Sequence, residues 1–414
     1  MKLFSLNESR GWALKLAREL QTDIASHEER SFDDGEFKIR ALDEVRGEHV
    51  FVCESLAADA SLSVSDKLCR LAFFCGSLRD AGAERVTAVV PYLAFWRKDR
   101  RTKANDPVTT RYVARMLEAV GVDGLLTLEV HSPAALDNAF SVPTESLESA
   151  PLFATQFAPL AGAEAKLVVL SPDAGGTHRA HAFASLLEAR TGRSVAVALM
   201  DKQRSEGRVT GDLFAGDVRD ADVIVFDDMI ASGATIARAA AAAHARGARG
   251  VHAVAAHGVL APGAVATLNG AGLASLTFAD SVGDERGRSD GLRVDLFVLD
   301  CAPVFARAIE RWTARPERGE RCEAADGPSD EAGTSEAPYS SSRPTSSSSS
   351  SSSQSSSSSS SSSQSSASPA SGSRQPAARS PSSSASASSS GGSAASKSRS
   401  DQSASAISSV SPSR

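Results

Sequence analysis

The chain repeats one alternation. Short runs of aliphatic and β-branched residues recur as HVFVCE (49–54), RVTAVVPY (85–92), GLLTLEV (124–130), KLVVLSP (166–172), SVAVAL (194–199), DVIVFD (222–227) and GVHAVAAH (250–257). Amphipathic stretches such as SDKLCRLAFFCGSLRDAG and HRAHAFASLLEARTG lie between them. Strands that are apolar throughout, rather than at every second position, are covered on both faces. Their alternation with helices predicts α/β units with mostly parallel sheets. The stretch FSVPTESLESAPLFA holds two prolines and no clear strand, which places a boundary near 147. Each side has several βα units, so two similar domains are expected, 1–146 and 147–314.

From Arg315 the pattern stops. The remainder is Ser, Ala, Pro and Gly with scattered charges, including TSSSSSSSSQSSSSSSSSSQSS. Such a segment cannot bury enough apolar surface to offset the entropy of ordering, so 315–414 reads as a disordered tail. A phosphorylated or partner-binding tail is the functional alternative. The formal charge of −6 provides no basic field of the kind that tracks nucleic acid. Five cysteines (Cys53, Cys69, Cys75, Cys301, Cys322) show no CxxC or metal spacing, and four sit in apolar segments that read as reduced core. The opening MKLFSLNESRGWALKLAREL lacks the apolar stretch of a signal peptide. No run reaches the ~18 apolar residues of a membrane span. A cytoplasmic protein without membrane partners is the expectation.

In open α/β sheets ligands bind beyond the carboxyl ends of strands, and the chemistry-bearing residues cluster there. The run 223–226 ends in Asp227 and Asp228, followed by Ser232, Gly233, Ala234 and Thr235 and then an alanine-rich helix. Adjacent carboxylates accept hydrogen bonds from sugar hydroxyls. A turn opening a helix offers backbone N–H groups to a phosphate. A sugar phosphate satisfies both halves; the alternative is a surface turn with a Ser cap. After the strand 166–172 come Asp173, Ala174, Gly175 and Gly176, whose glycines allow close approach to a diphosphate and whose Asp can hold Mg2+. Past the strand 194–199, Lys202 and Arg204 alternate onto one face, suited to charge on a transferring phosphoryl group. Without further context they read as a solvated charged loop.

VIVFDDMIASGATI looks like the phosphoribosyl-binding fingerprint of type I phosphoribosyltransferases and of ribose-phosphate diphosphokinases, and further stretches resemble the second family. VVLSPDAGGTHRA is similar to its pyrophosphate loop, and LMDKQRSEG to its catalytic Lys-x-Arg flap. LTLEVHSP resembles its Asp-x-His pair, with Glu129 in place of Asp before His131. SFDDGEFKIR resembles its F-x-D-G-E segment, here Phe32, Asp34 and Glu36, although a hairpin turn explains DDGE equally well. VVPYLAFWRKDRRTKANDP resembles P-Y-x-x-Y-x-R-Q-D, with Arg97 and Asp99 matching and Lys98 where Gln is usual. Ala231 and Ala234 also depart from the fingerprint.

The resemblance runs through 1–312 and implies two phosphoribosyltransferase-like domains. It implies transfer of the diphosphoryl group of Mg-ATP to ribose 5-phosphate. Lys202 and Arg204 would be catalytic, and His131, Asp173 and Glu129 would act around Mg2+. Phe32, Asp34, Glu36, Arg97, Lys98 and Asp99 would hold the nucleotide. Adenine contacts lent by a neighbouring subunit imply a homo-oligomer, at least a dimer, with a hexamer open. A phosphoribosyltransferase and a non-catalytic regulatory homologue are the alternatives.

Overall fold

The computed structural model describes residues 1–161, 166–205, 208–283 and 285–314. The tail expected over 315–414 lies outside the described residues. The first half runs β1 (Lys2–Ser5), α1 (Arg10–Glu19), β2 (His27–Ser31), β3 (Phe37–Ala41), β4 (His49–Cys53), α2 (Val64–Asp80), β5 (Arg85–Val90), α3 (Thr109–Ala119), β6 (Gly124–Leu128), α4 (Pro133–Ala139) and β7 (Thr144–Leu147). The second runs α5 (Ala150–Ala161), β8 (Lys166–Ser171), α6 (Thr177–Thr191), β9 (Ala196–Ser205), β10 (Arg208–Ala215), β11 (Ala221–Met229), α7 (Ala234–His244), β12 (Gly250–His257), α8 (Ala264–Asn269), β13 (Ser275–Ala279), α9 (Glu285–Arg288), β14 (Asp295–Leu299) and α10 (Ala302–Ala314).

Each half is built on its own sheet, as the alternation predicts. The first has the order β1-β4-β5-β6-β7, all parallel. The second has the order β10-β9-β8-β11-β12-β13-β14, parallel except for the β9–β10 pair. Every seed strand found from the apolar runs is present. Most of the strands missed are short, amphipathic or at edges; β13 is buried throughout, but Ser275 and Thr277 interrupt its apolar run. β7 is a short one: Thr144–Leu147 pairs with β6 inside the proline-flanked stretch that reads as strandless. Only Leu147 of its four residues is fully buried, so no apolar run marks it.

One apolar core lies between the two sheets. It joins Phe51 and Leu126 to Ile224 and Phe226, with α1, α5, α6 and α10 contributing Trp12, Phe153, Phe183 and Phe305. The outer faces carry separate cores under α2 to α4 and under α7 and α8. The last helix returns to the first half. Its Phe305 meets Trp12 edge-on at 5.1 Å, and Trp312 Nε1 donates to Glu145 Oε2 at 2.6 Å. Gly124 makes room for that indole: a Cβ there would lie 2.6 Å from the Trp312 ring. Of the four cysteines expected in the core, Cys53, Cys75 and Cys301 are buried, but Cys69 is exposed on α2.

Candidate active site

The strand ends of both halves open on one cleft of about 150 Å3, lined by Arg97 and His131 from the first half and by Asp173, Asp227, Asp228, Ser232, Gly233 and Thr235 from the second. Each lining segment has a local reason for its shape. β11 is buried along Ala221–Phe226 and delivers Asp227 and Asp228 at its carboxyl end. Gly233, with φ +76°, turns the chain into α7. A Cβ at Gly233 would also sit 3.0 Å from Leu268 of α8. The turn leaves the first amides of α7 without intrahelical partners, the arrangement that attracts phosphate. Ser232 Oγ accepts from Ala234 N at 3.4 Å. Alanines at 239, 240 and 243 let α7 lie close on the sheet.

Asp173 caps the following turn, its Oδ1 accepting from Gly176 N at 3.0 Å. Ser171 Oγ donates to the Asp173 carbonyl at 2.7 Å, and a Cβ on Gly176 would fall 2.9 Å from that hydroxyl. The diphosphate-loop residues Asp173 to Gly176 therefore form a tight turn into α6, close enough to Asp227 for the Asp173 charge to act on it.

The two adjacent carboxylates are not equivalent. Asp228 is 5% exposed, and its Oδ2 accepts from His131 Nδ1 at 2.7 Å across the two halves. Because a carboxylate only accepts, the His131 proton sits on Nδ1 and Nε2 is the ring's other coordinating atom. Burial works against ionisation of Asp228, but the His131 hydrogen bond and the charge of Arg179 outweigh it and hold its carboxyl below the usual range. Asp227 moves the other way: burial, then the charge of Asp228, push it up. The His131 pKa is raised by the bond to Asp228, against the effect of burial. The site thus pairs an ionised, engaged carboxylate with one whose proton is held more tightly.

Not every expected residue reaches the cleft. Glu129 does not: its Oε1 accepts from Arg179 Nε at 2.7 Å, and its Oε2 from Ser149 N at 2.9 Å and Ser149 Oγ at 2.8 Å. Both of its carboxylate oxygens are thus engaged by protein donors, and it does not line the cleft. Lys98 is tied back into its own loop, its Nζ 2.7 Å from Asp106 Oδ2 and 3.0 Å from Thr102 Oγ1. Asp99 lines a neighbouring cavity with Arg111 and Asn138. Phe32, Asp34 and Glu36 lie at the tip of the β2–β3 hairpin, away from this cleft. Gly35 takes φ +92° there, Asp34 Oδ1 accepts from Glu36 N at 3.0 Å, and Arg30 lies over the half-exposed Phe32 ring at 4.9 Å. Lys202 and Arg204 fall in β9, opposite Asp212 and Val209 in register; their side chains lie outside the described residues. Among the described residues no cluster of three or more His, Cys, Asp or Glu is assembled around a metal position, and no helix is long and apolar enough to cross a membrane.

A family model described as the N-terminal domain of ribose phosphate pyrophosphokinase matches residues 1–121, and one described as a phosphoribosyl transferase domain matches 155–264. Ribose-phosphate pyrophosphokinase 1 of Streptococcus pneumoniae is 35% identical over 245 residues, covering 58% of this chain and 73% of that protein. The chain belongs to the ribose-phosphate pyrophosphokinase family. The Streptococcus mutans enzyme of the same name is 34% identical over the same share of each chain. The crystal structure of phosphoribosylpyrophosphate synthetase from Mycobacterium smegmatis superposes with a TM-score of 0.68 at 27% identity, covering 75% of this chain and 98% of that one. The family's two-domain α/β architecture is the one the alternation of apolar runs predicts.

Two residues at this family site escape sequence reasoning. Arg179, 6% exposed, lies in the first turn of α6 and faces Glu129, Asp228 and Asp227. It stands three residues past Gly176 in a stretch otherwise read for its glycines, and a buried cation among carboxylates is the signal that would have found it. His257 ends β12, fully buried. Its Nε2 donates to the Leu128 carbonyl at 3.1 Å, so Nδ1 of the neutral ring accepts the Ser281 hydroxyl at 2.7 Å. Burial lowers its pKa, which keeps the ring neutral.

Proposed function

We propose that this chain transfers the diphosphoryl group of ATP to the anomeric hydroxyl of ribose 5-phosphate, giving 5-phosphoribosyl 1-diphosphate and AMP. The observation that carries the reading is the convergence, in one cleft, of two strand-end carboxylates, a phosphate-ready helix start, the Asp173 loop, and Arg97 and His131 from the other half. The pentose phosphate group takes the amides and hydroxyls of Ser232, Gly233, Ala234 and Thr235. Its hydroxyls meet Asp227. The anomeric hydroxyl attacks the β-phosphorus and gives up its proton to solvent, the bond from that phosphorus to the α,β-bridging oxygen breaks, and AMP leaves. Arg97, with Lys202 and Arg204 from β9, counters the charge on the transferring group; positioning and charge account for most of the rate.

The donor set fits Mg2+ as a nucleotide-bound ion. Hard oxygen ligands and retained waters suit it, and His131 Nε2 and the carboxylate of Asp173 are the side chains that would hold it beside the phosphates. Its chemistry there is charge neutralisation of the triphosphate. Phe32, Asp34 and Glu36, exposed on the hairpin, serve the adenine of a second copy, which makes the working form at least a dimer in the cytoplasm. The test is formation of AMP from ATP and ribose 5-phosphate by pure protein with Mg2+. A phosphoribosyltransferase needs no ATP and a regulatory homologue turns over nothing alone, so absence of AMP removes the reading.

A further inference from the structure

The segment that delivers His131 adopts a conformation its sequence disfavours. Glu129, two residues earlier, has φ +38°, a region sparsely populated by residues with a long side chain. Every polar group of Glu129 is engaged. Its N–H donates to the Leu147 carbonyl at 2.8 Å, and its carbonyl accepts from His257 Nε2 at 3.3 Å. One carboxylate oxygen takes the two Ser149 donors at the start of α5, and the other takes Arg179 Nε. The next amide, of Val130, donates to Ser146 Oγ at 3.1 Å. Three of these partners, Ser149, Arg179 and His257, come from the second half. Arg179 follows directly on the Asp173 loop, and His257 ends the strand beside β11.

This is more restraint than a connecting turn needs. Its product is one contact: His131 meets Asp228 at 2.7 Å from the opposite half. We propose that Glu129 and Arg179 are a positioning pair, which holds the turn before His131 against the second half so that the imidazole is registered on Asp228 and the Asp173 loop. The pair touches neither substrate. It couples the placement of the diphosphate loop to that of the imidazole, so one ion pair fixes groups on both halves. The proposal rests on the reaction proposed above.

The test uses the full chain as Arg179→Lys, which keeps the charge beside Asp228 but loses the planar fork, and as the double variant Glu129→Gln with Arg179→Met, which removes both charges of the pair. AMP release is measured at saturating ATP, and kcat and KM for ribose 5-phosphate are separated. Crystal structures of the same variants give the His131 to Asp228 distance. The expected result is a fall in kcat of about 10- to 100-fold, the scale of an ångström misplacement, with KM for ribose 5-phosphate within about twofold of the parent and His131 displaced from Asp228. A merely structural pair lowers the melting temperature and leaves both kcat and the His131–Asp228 contact unchanged; that result overturns the proposal. If the parent itself forms no AMP, the reaction is wrong, while the crystallographic distance still decides the positioning role.

Discussion

Gly233 allows the clearest calculation in the molecule. The Gly233→Ala change meets two separate penalties. The backbone is at φ +76°, where an L-residue with a Cβ pays about 1–2 kcal/mol. The new methyl would lie 3.0 Å from Leu268 Cγ and 3.2 Å from its Cδ2. Leu268 is fully buried and cannot swing into solvent, so overpacking adds about 1–3 kcal/mol. Gly263 supplies the control. It caps α8 at φ +87° with nothing within 4 Å of a built Cβ, so Gly263→Ala carries the backbone penalty alone. The loss in urea or thermal unfolding should therefore be about 1–2 kcal/mol for Gly263→Ala and about 2–5 kcal/mol for Gly233→Ala. A shift of the α7 start also moves the amides assigned to the pentose phosphate, so KM for ribose 5-phosphate rises in Gly233→Ala and stays put in Gly263→Ala. Equal destabilisation by the two changes, or an unaltered KM in Gly233→Ala, would refute the reasoning about this turn.

Other residues make shorter tests. Asp227→Asn keeps the shape but replaces one carboxyl oxygen by an NH2 group that cannot accept from a sugar hydroxyl, so kcat/KM for ribose 5-phosphate should drop about 2- to 10-fold, from about 0.5–1.5 kcal/mol per such bond, measured by steady-state AMP release. Trp312→Ala empties the slot over Gly124 and breaks the bond to Glu145, costing about 3–5 kcal/mol in chemical denaturation. Glu54 is fully buried, and desolvation raises its pKa to about 8 despite Lys67 nearby. Its folded pKa lies above its unfolded value, so the stability it allows is complete below the unfolded pKa and is lost as pH rises through about 8. Glu54→Gln should accordingly raise the melting temperature at pH 8 more than at pH 5, and a pH-independent difference would contradict this. Removal of 315–414 should leave kcat unchanged, because the described lining of the cleft lies wholly within the first 314 residues.

The sheets were legible in the sequence where burial on both faces leaves a continuous apolar run, as in β4, β5, β8, β11 and β12. They were not legible where a strand is only half-covered, nor in β13, where Ser275 and Thr277 break a fully buried run. β14 is a sheet edge with Phe297 and Val298 both exposed, and β7 hides between prolines. The site divides in the same way. Asp227, Asp228 and the turn into α7 declare themselves because strand end, charge pair and helix start adjoin along the chain. Arg179, His257 and the diversion of Glu129 depend on contacts between positions fifty to more than a hundred residues apart, which no local spacing encodes.

That separation explains why two like charges can end a buried strand at all. Without a donor or a cation beside them, Asp227 and Asp228 would repel each other in a poorly solvated place, and both carboxyls would be driven toward the neutral form. The compensation comes partly from the first half: His131 bonds Asp228, and Arg179 is held beside it by Glu129. Asp228 then stays ionised while Asp227 absorbs the repulsion as a raised pKa. The two halves are therefore not a binding domain with an attached spare. The charge state of the strand end draws on His131 from the opposite half as well as on Arg179, so a change that loosens the docking should weaken the hold on Asp228 without touching it.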